Sequence, residues 1–175
     1  SQPTDFVLEL GTEELPVGDL SDAISQFEAK LPPLFEELRL EHRGIEVMGT
    51  PRRLVVHVKG LAPRQSDRTR TLKGPPANRA FDPDGKPTAA ARGFAKSAGV
   101  RIGALQTQEL AGGRYVVAEV TEAGLAAAER LAEALPSLLA SLQFEQPMRW
   151  DASGTAFARP VRWLLALHGG CLVGF

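Results

Sequence analysis

A Gly-Gly pair between two strand-like segments is the strongest constraint that this sequence places on its fold. Gly112-Gly113 separates Leu105–Leu110 from Arg114–Val120 in "LQTQELAGGRYVVAEV", and a two-residue glycine turn joins antiparallel strands tightly. "IEVMGTPRRLVVHVKGL" predicts a second hairpin, with strands over Ile45–Met48 and Leu54–Lys59 joined by "GTPRR". The chain is therefore expected to contain antiparallel sheet.

The two ends of the chain predict further strands. Asp5–Leu10 alternates apolar side chains with others, as expected of a strand that buries one face. "VRWLLALHGGCLVGF" predicts a buried strand that allows a hairpin about Gly169-Gly170, and Cys171 is expected to be a buried structural thiol. Because a domain rarely stops inside an apolar strand, the end at Phe175 indicates a fragment of a longer chain.

Apolar residues at helical spacing predict the helices. One starts at about Asp19, but Pro32-Pro33 should break it and start a second helix over Pro33–Leu40, because proline tolerates only the first turn of a helix. "AAARGFAKSAG" predicts a short helix with Thr88 as its N-cap and Gly99 as its stop. "GLAAAERLAEALPSLLASLQF" predicts a longer helix, bent at its internal proline.

The segment between the two hairpins has a different composition. Residues 62 to 88 are rich in Pro, Gly, Arg and Asp and predict a long connection, while residues 62 to 104 could instead form a separate lobe. Together the segments predict an α+β fold, with a mixed or largely antiparallel sheet of hairpins and helices packed on one side. The order of the strands is left open by the sequence.

Several kinds of chemistry find no support in the sequence. One cysteine and three histidines exclude a disulfide framework and a zinc cluster, and no apolar run is long enough for a membrane helix, so a cytoplasmic location is expected. There is no phosphate-binding glycine loop and no G-x-S-x-G motif. Glu13 and Glu14 could in principle act as acid and base, but neighbours in sequence usually point in different directions. The sequence predicts no catalytic residue and no metal ligand.

The net charge of −1 conceals opposite charges in successive segments. Residues 1 to 38 carry nine Asp/Glu and one Lys, whereas residues 39 to 79 carry ten Lys/Arg and three Asp/Glu, a balance of +7. A basic segment that folds onto one face is typical of proteins that bind nucleic acid or phosphate. The alternative is that the acidic and basic segments neutralise one another across the fold.

One irregular segment, "MRWDASGTAFARPVRW", contains both tryptophans and three arginines. We expect Trp150 and Trp163 to bury most of their rings between the long helix and the sheet, with the arginines at the edge of that packed cluster. A guanidinium can bind a phosphate through two hydrogen bonds, and a tryptophan ring can position it by a cation–π contact. The segment is therefore a candidate for anion binding.

Four groups of residues resemble, in order and spacing, the β subunit of bacterial-type glycyl-tRNA synthetase. They are "DFVLELGTEELP", "GTPRRLVVHVKGL", "KGPP" with "FDPDGKPTAAARGFAKSAG", and "MRW" with "FARPVRW". The resemblance runs from Asp5 to Phe175 and implies the N-terminal region of a subunit of an α2β2 ligase that joins glycine to its tRNA with ATP. It implies that the α subunit forms the adenylate and that the β subunit chiefly contacts tRNA. This region alone would then be inactive and would hold no cofactor.

Six basic residues lie inside the family's motifs and are the candidates for tRNA contact. They are Arg52, Arg53, Lys73, Arg149, Arg159 and Arg162. The alternative is that arginines among them hold the fold through pairs with Glu9, Glu13 or Glu14. The chain is thus expected to be either a non-catalytic, tRNA-associated module or a scaffold without direct tRNA contact. Its expected partners are tRNA, the α subunit and the remainder of the β subunit, and no membrane.

Overall fold

The computed structural model of the chain describes residues 2–149 and 156–175, which form two compact units. Unit 1 comprises Ser1–Ser66 and Gly124–Phe175, and unit 2 is Asp67–Ala123. Unit 2 includes residues 67 to 104 of the region in which the sequence left a separate lobe open. Every strand pair among the described residues is antiparallel, and together with the helices this confirms the predicted α+β class.

Strands and helices occupy most of the described residues. The strands are β1 (Thr4–Thr12), β2 (Gly44–Thr50), β3 (Arg53–Leu61), β4 (Arg68–Pro76), β5 (Gln106–Leu110), β6 (Gly113–Glu122), β7 (Met148–Arg149), β8 (Ala156–Phe157), β9 (Val161–His168) and β10 (Cys171–Leu172). The helices are α1 (Val17–Glu37), α2 (Ala77–Ala80), α3 (Ala89–Ala98) and α4 (Ala127–Ala140), and Ile102–Ala104 form one turn of 3-10 helix. The hairpins β2–β3, β5–β6 and β9–β10 confirm the three that the sequence indicates.

Unit 1 is built on a five-stranded sheet in the order β10-β9-β1-β3-β2. β1 lies at its centre and buries Phe6, Leu8 and Leu10 on one face, because alternate side chains of a strand share a face. α1 and α4 pack on that same face, with Phe27 and Leu131 among their fully buried side chains. The core thus lies between the sheet and helices on one side of it, as predicted.

The predicted break at Pro32-Pro33 is wrong, because α1 continues through both prolines. Its buried residues Ala23, Phe27, Leu31 and Phe35 recur every four positions on both sides of the pair. A proline inside a helix costs about 3 kcal/mol, whereas burying a Leu or Phe side chain stabilises by about 1.5–3 kcal/mol. Continuous burial of this face offsets the cost of the prolines, and the second helix predicted there is the end of α1.

Unit 2 is a three-stranded sheet in the order β4-β6-β5, with α2 and α3 packed on one face. Its small core joins Val116 of β6 to Ala80 and Ala91 of the helices. Residues 62 to 88, predicted to be a long connection, instead contain β4 and α2. β4 lacks an alternating apolar pattern and is a strand because its backbone pairs with β6 over Arg68–Lys73.

Two side chains near the end of the chain are exposed, although the sequence predicts them to be buried. Trp163 is 42% exposed, and Cys171 is an exposed free thiol. Among the described residues, only the two-residue strand β10 covers the outer side of β9, so β9 buries less of its surface than a central strand does. Trp150, for which burial is also predicted, lies outside the described residues.

Candidate functional site

Three loops meet beside the end of β1 and bring several of the predicted arginines together. The loop after β1 starts at Glu13, the β2–β3 turn contains Pro51, and Pro160 precedes β9. The N–H of Glu13 donates to the Pro160 carbonyl over 3.0 Å, and the N–H of Leu15 donates to the Pro51 carbonyl over 2.7 Å. The loops therefore hold one another in place through their backbones.

The charged side chains on these loops form a group that we call the arginine–glutamate cluster. Its members are Arg52, Arg53, Arg159, Arg162, Glu9, Glu13 and Glu14. Arg162 Nη2 lies 2.8 Å from Glu13 Oε1, and Arg52 Nη2 lies 3.5 Å from Glu14 Oε2. Arg159 Nε donates to the Glu14 carbonyl over 3.2 Å. The fold thus brings four of the six candidate residues together, next to the glutamates named as their alternative partners.

The ion pairs of the cluster are open to solvent. The side chains of Arg52 and Glu14 are 74% and 71% exposed, and those of Arg162 and Glu13 are 61% and 47% exposed. Exposed pairs of this kind contribute only about 0–1 kcal/mol each. Because three glutamates accompany the four arginines, the cluster carries a small positive excess rather than the large one that the sequence segment suggests.

Trp163 organises one side of the cluster. A Cβ atom placed on Gly11 would lie 2.1 Å from the Trp163 ring, so the ring occupies the space that a side chain on Gly11 would need. The indole Nε1–H donates to Glu9 Oε1 over 2.8 Å. Arg53 lies 5.9 Å from the ring centroid and 3.5 Å from Glu9. The tryptophan therefore positions an arginine of the β2–β3 hairpin rather than one of its own segment.

The other two candidate residues lie elsewhere. Lys73 belongs to β4 in unit 2, where its Nζ lies 3.7 Å from the centroid of the Tyr115 ring. Arg149 is exposed in β7 and pairs with Ala156 of β8. For all six residues, contact with tRNA stays a prediction.

Unit 2 carries a net positive charge, whereas unit 1 is net negative. Asp67–Ala123 contains nine Lys/Arg and six Asp/Glu, a net charge of +3. The basic segment of residues 39 to 79 is therefore divided between the units. Part of it is neutralised locally, since Arg70 Nη2 lies 2.8 Å from Glu122 and Lys59 contacts Glu46.

A second charged group surrounds His57 in unit 1. Its Nε2 lies 2.8 Å from Asp5, and its Nδ1 lies 3.7 Å from Glu46. The N–H of Gly60 donates to Asp5 over 2.9 Å and, with His57, lowers the pKa of the Asp5 carboxyl. Lys59, followed by His57, lowers the pKa of Glu46. His57 is thus a hydrogen-bonded residue at the surface of unit 1.

Sequence reasoning missed two residues on which unit 1 depends. In the sequence Gly11 follows the alternating segment Asp5–Leu10, where a glycine is an ordinary turn signal. It lies inside β1 instead, and nothing in the sequence shows that the Trp163 ring lies against it. Gln65 is 5% exposed although its neighbours are polar. Its amide donates to the Leu38 carbonyl over 2.6 Å and accepts from the Leu125 N–H over 3.2 Å. Its partners come from distant parts of the chain, so no local pattern could have identified it.

Two general properties of the described part of the chain bear on its chemistry. No three His, Cys, Asp or Glu residues there are placed to share a metal ion. No helix there is both long enough and apolar enough to cross a membrane.

Comparison with known proteins places these features in a family. The family model described as "Glycyl-tRNA synthetase beta subunit" matches residues 6–175. A "Glycine--tRNA ligase beta subunit" of Geobacter metallireducens is 44% identical over 171 residues, which are 98% of this chain and 25% of that protein. A "Glycine--tRNA ligase, chloroplastic/mitochondrial 2" of Arabidopsis thaliana is 42% identical over 173 residues, which are 99% of this chain and 16% of that protein. The chain spans about a quarter or less of the curated relatives it matches.

Proposed function

Because this chain belongs to the glycyl-tRNA synthetase β-subunit family, we propose that it is a non-catalytic part of an ATP-dependent ligase that joins glycine to tRNA. The proposed partners of the whole subunit are an α subunit and tRNA, in the cytoplasm. The arrangement of Glu13 and Glu14 supports a non-catalytic role, because their carboxylates contact different arginines and do not converge on one point. We expect the isolated chain to give no glycine-dependent pyrophosphate exchange. Exchange by this chain alone would refute the proposal.

Within the subunit, the arginine–glutamate cluster is proposed to have an architectural role. The observation that carries this proposal is that all four of its arginines contact the side chains or backbone of Glu9, Glu13 and Glu14. A phosphate would have to compete with three carboxylates for these guanidinium groups. The cluster would therefore hold the three loops at the end of β1 in a defined position relative to the rest of the ligase.

Removing either side of the same ion pairs tests the architectural role. In the complete β subunit, Arg52→Ala/Arg53→Ala is compared with Glu9→Gln/Glu14→Gln, and tRNA binding is measured over a range of salt. If the cluster is architectural, both double variants lower the melting temperature slightly and neither changes the slope of log affinity against log salt. If the arginines bind phosphates, their loss flattens that slope by about one to two units, and loss of the glutamates tightens binding.

A second candidate function, direct contact with tRNA, is favoured for unit 2 by its net charge of +3. Lys73 is exposed beside Tyr115 on β6, which places a cation and an aromatic ring together. Proteins bind single-stranded nucleic acid with such pairs, through phosphates and base stacking.

The salt dependence of tRNA binding also tests this candidate. Lys73→Ala in the complete subunit should flatten the slope of log affinity against log salt by about 0.7–0.9 units, whereas Lys73→Arg should preserve it. An unchanged slope in Lys73→Ala would place the tRNA elsewhere.

A further inference from the structure

Exposed apolar side chains are concentrated on the β9–β10 hairpin and the residues after it. Of the ten large hydrophobic residues that are exposed in the described part of the chain, five lie here: Val161, Trp163, Leu164, Leu172 and Phe175. Leu172 is 68% exposed and Leu164 is 47% exposed. Leu164 lies opposite Leu10 and Trp163 lies opposite Gly11, so the exposed apolar side chains flank both faces of this strand. Apolar side chains at an unpaired sheet edge favour pairing with a further strand.

The outer edge of β9 in this region is paired over only part of its length. β10 pairs with β9 only at Cys171–His168 and Leu172–Leu167, although β9 extends back to Val161. The carbonyl of Ala166 accepts from the N–H of Val173 over 2.9 Å, so the backbone groups of Ala166 point away from β1. Because these directions alternate along a strand, the N–H and C=O of Leu164 point the same way. No described residue pairs with Leu164 on that side.

The backbone after β10 already runs along this edge. The pairs Cys171–His168 and Leu172–Leu167, with the Val173–Ala166 hydrogen bond, establish an antiparallel register. Continued by two residues, that register places Gly174 opposite Leu165 and Phe175 opposite Leu164. The next residue would lie opposite Trp163.

We propose that, in the complete β subunit, the polypeptide that follows Phe175 extends β10 along the outer edge of β9 and covers its exposed apolar side chains. The inference shares one assumption with the proposed function, namely that this chain is part of a longer β subunit. The family relatives support this assumption, since this chain spans 25% of the Geobacter metallireducens protein. An uncovered apolar edge strand is an aggregation hazard that proteins protect by pairing or covering it.

The added strand has a defined direction. It runs antiparallel to β9, and β9 is itself antiparallel to β1, so the added strand points toward the end of β1 at Thr12. That end carries the arginine–glutamate cluster. The rest of the subunit would therefore leave unit 1 beside the cluster, and the covering strand would shield the exposed part of Trp163.

Engineered disulfides in the complete subunit test the register. Leu165→Cys with Gly174→Cys, in a Cys171→Ser background, places two cysteines opposite each other at a position without backbone hydrogen bonds, where facing residues lie within disulfide range. A Cβ at position 174 meets no atom within 4 Å. We expect this pair to cross-link under mild oxidation. Leu165→Cys with Phe175→Cys, one residue out of register and on opposite faces, should not; equal cross-linking of both pairs would overturn the proposal.

Hydrogen exchange identifies what covers the edge. In the complete subunit the amide of Leu164 should be protected because it donates to the Phe175 carbonyl. Phe175→Pro removes the N–H that would donate to the Leu164 carbonyl and weakens this pair, so it should accelerate exchange of the Leu164 amide at least about tenfold. Protection that depends on subunit concentration would indicate a second copy, and protection that appears only with the α subunit would indicate that protein; either result overturns the proposal. Glycine charging by the unmodified complex is measured separately, so failure of the proposed function is distinguished from failure of the strand pairing.

Discussion

The contact between Gly11 and Trp163 makes the sharpest stability prediction, because one added methyl group should dislodge an entire side chain. In Gly11→Ala the new Cβ would lie 2.1 Å from the Trp163 ring. Carbon atoms in contact normally lie about 3.5–4.0 Å apart, so the ring must move by about 1.5 Å. The backbone angles of Gly11 are ordinary for any residue, and the effect therefore comes from the side chain alone.

The expected loss of stability follows from the contacts that the Trp163 ring gives up when it moves. The 2.8 Å hydrogen bond from Trp163 to Glu9 contributes about 1 kcal/mol, and the exposed contact with Arg53 contributes about 0.5–1 kcal/mol. Together they fall within the range of about 1–3 kcal/mol usual for overpacking. We expect Gly11→Ala to lower the free energy of unfolding by about 2 kcal/mol.

Urea unfolding followed by circular dichroism measures this loss, and a double-mutant cycle identifies its cause. Gly44→Ala is the matched control, because Gly44 is also a strand glycine and a Cβ there meets no atom within 4 Å. In a Trp163→Ala background, Gly11→Ala should cost less than about 0.5 kcal/mol, since no indole ring then occupies the position of the new Cβ. If Gly11→Ala costs the same with and without the tryptophan, the explanation is refuted.

Three further changes test the environment of single residues. Trp163→Ala should cost about 2 kcal/mol in urea unfolding, below the 3–5 kcal/mol of a fully buried ring, because 42% of the residue is exposed. The pKa of Asp5 is lowered by Gly60 and His57, so its stabilising contribution is present above the unfolded-state pKa near pH 4 and is lost as pH falls through the folded-state pKa. Asp5→Asn should therefore make stability less sensitive to acid between pH 5 and 3, and an unchanged pH profile would contradict this. Gln65→Leu should cost about 2 kcal/mol by leaving the buried Leu38 carbonyl without its donor, whereas a neutral result would show that water replaces the amide.

Local patterns in the sequence were sufficient for the elements whose stability is local. The Gly112-Gly113 turn has φ angles of 101° and 128°, which glycine adopts readily, so the β5–β6 hairpin is predictable from two residues. Alternation in β1 likewise predicts which side faces the core. The family motifs identify four of the residues that meet at one site, because such motifs record a shared fold.

Tertiary contacts decided the rest. α1 continues through Pro32 and Pro33 because its buried face spans them, and that burial depends on a sheet formed by distant residues. Arg159 donates to the backbone carbonyl of Glu14 across 145 positions of sequence, a partner that local sequence could not identify. Trp163 is half exposed because its strand lies near the sheet edge, a consequence of strand order. Strand order and ion pairing arise from contacts between remote segments, and local propensity carries no information about which segments meet.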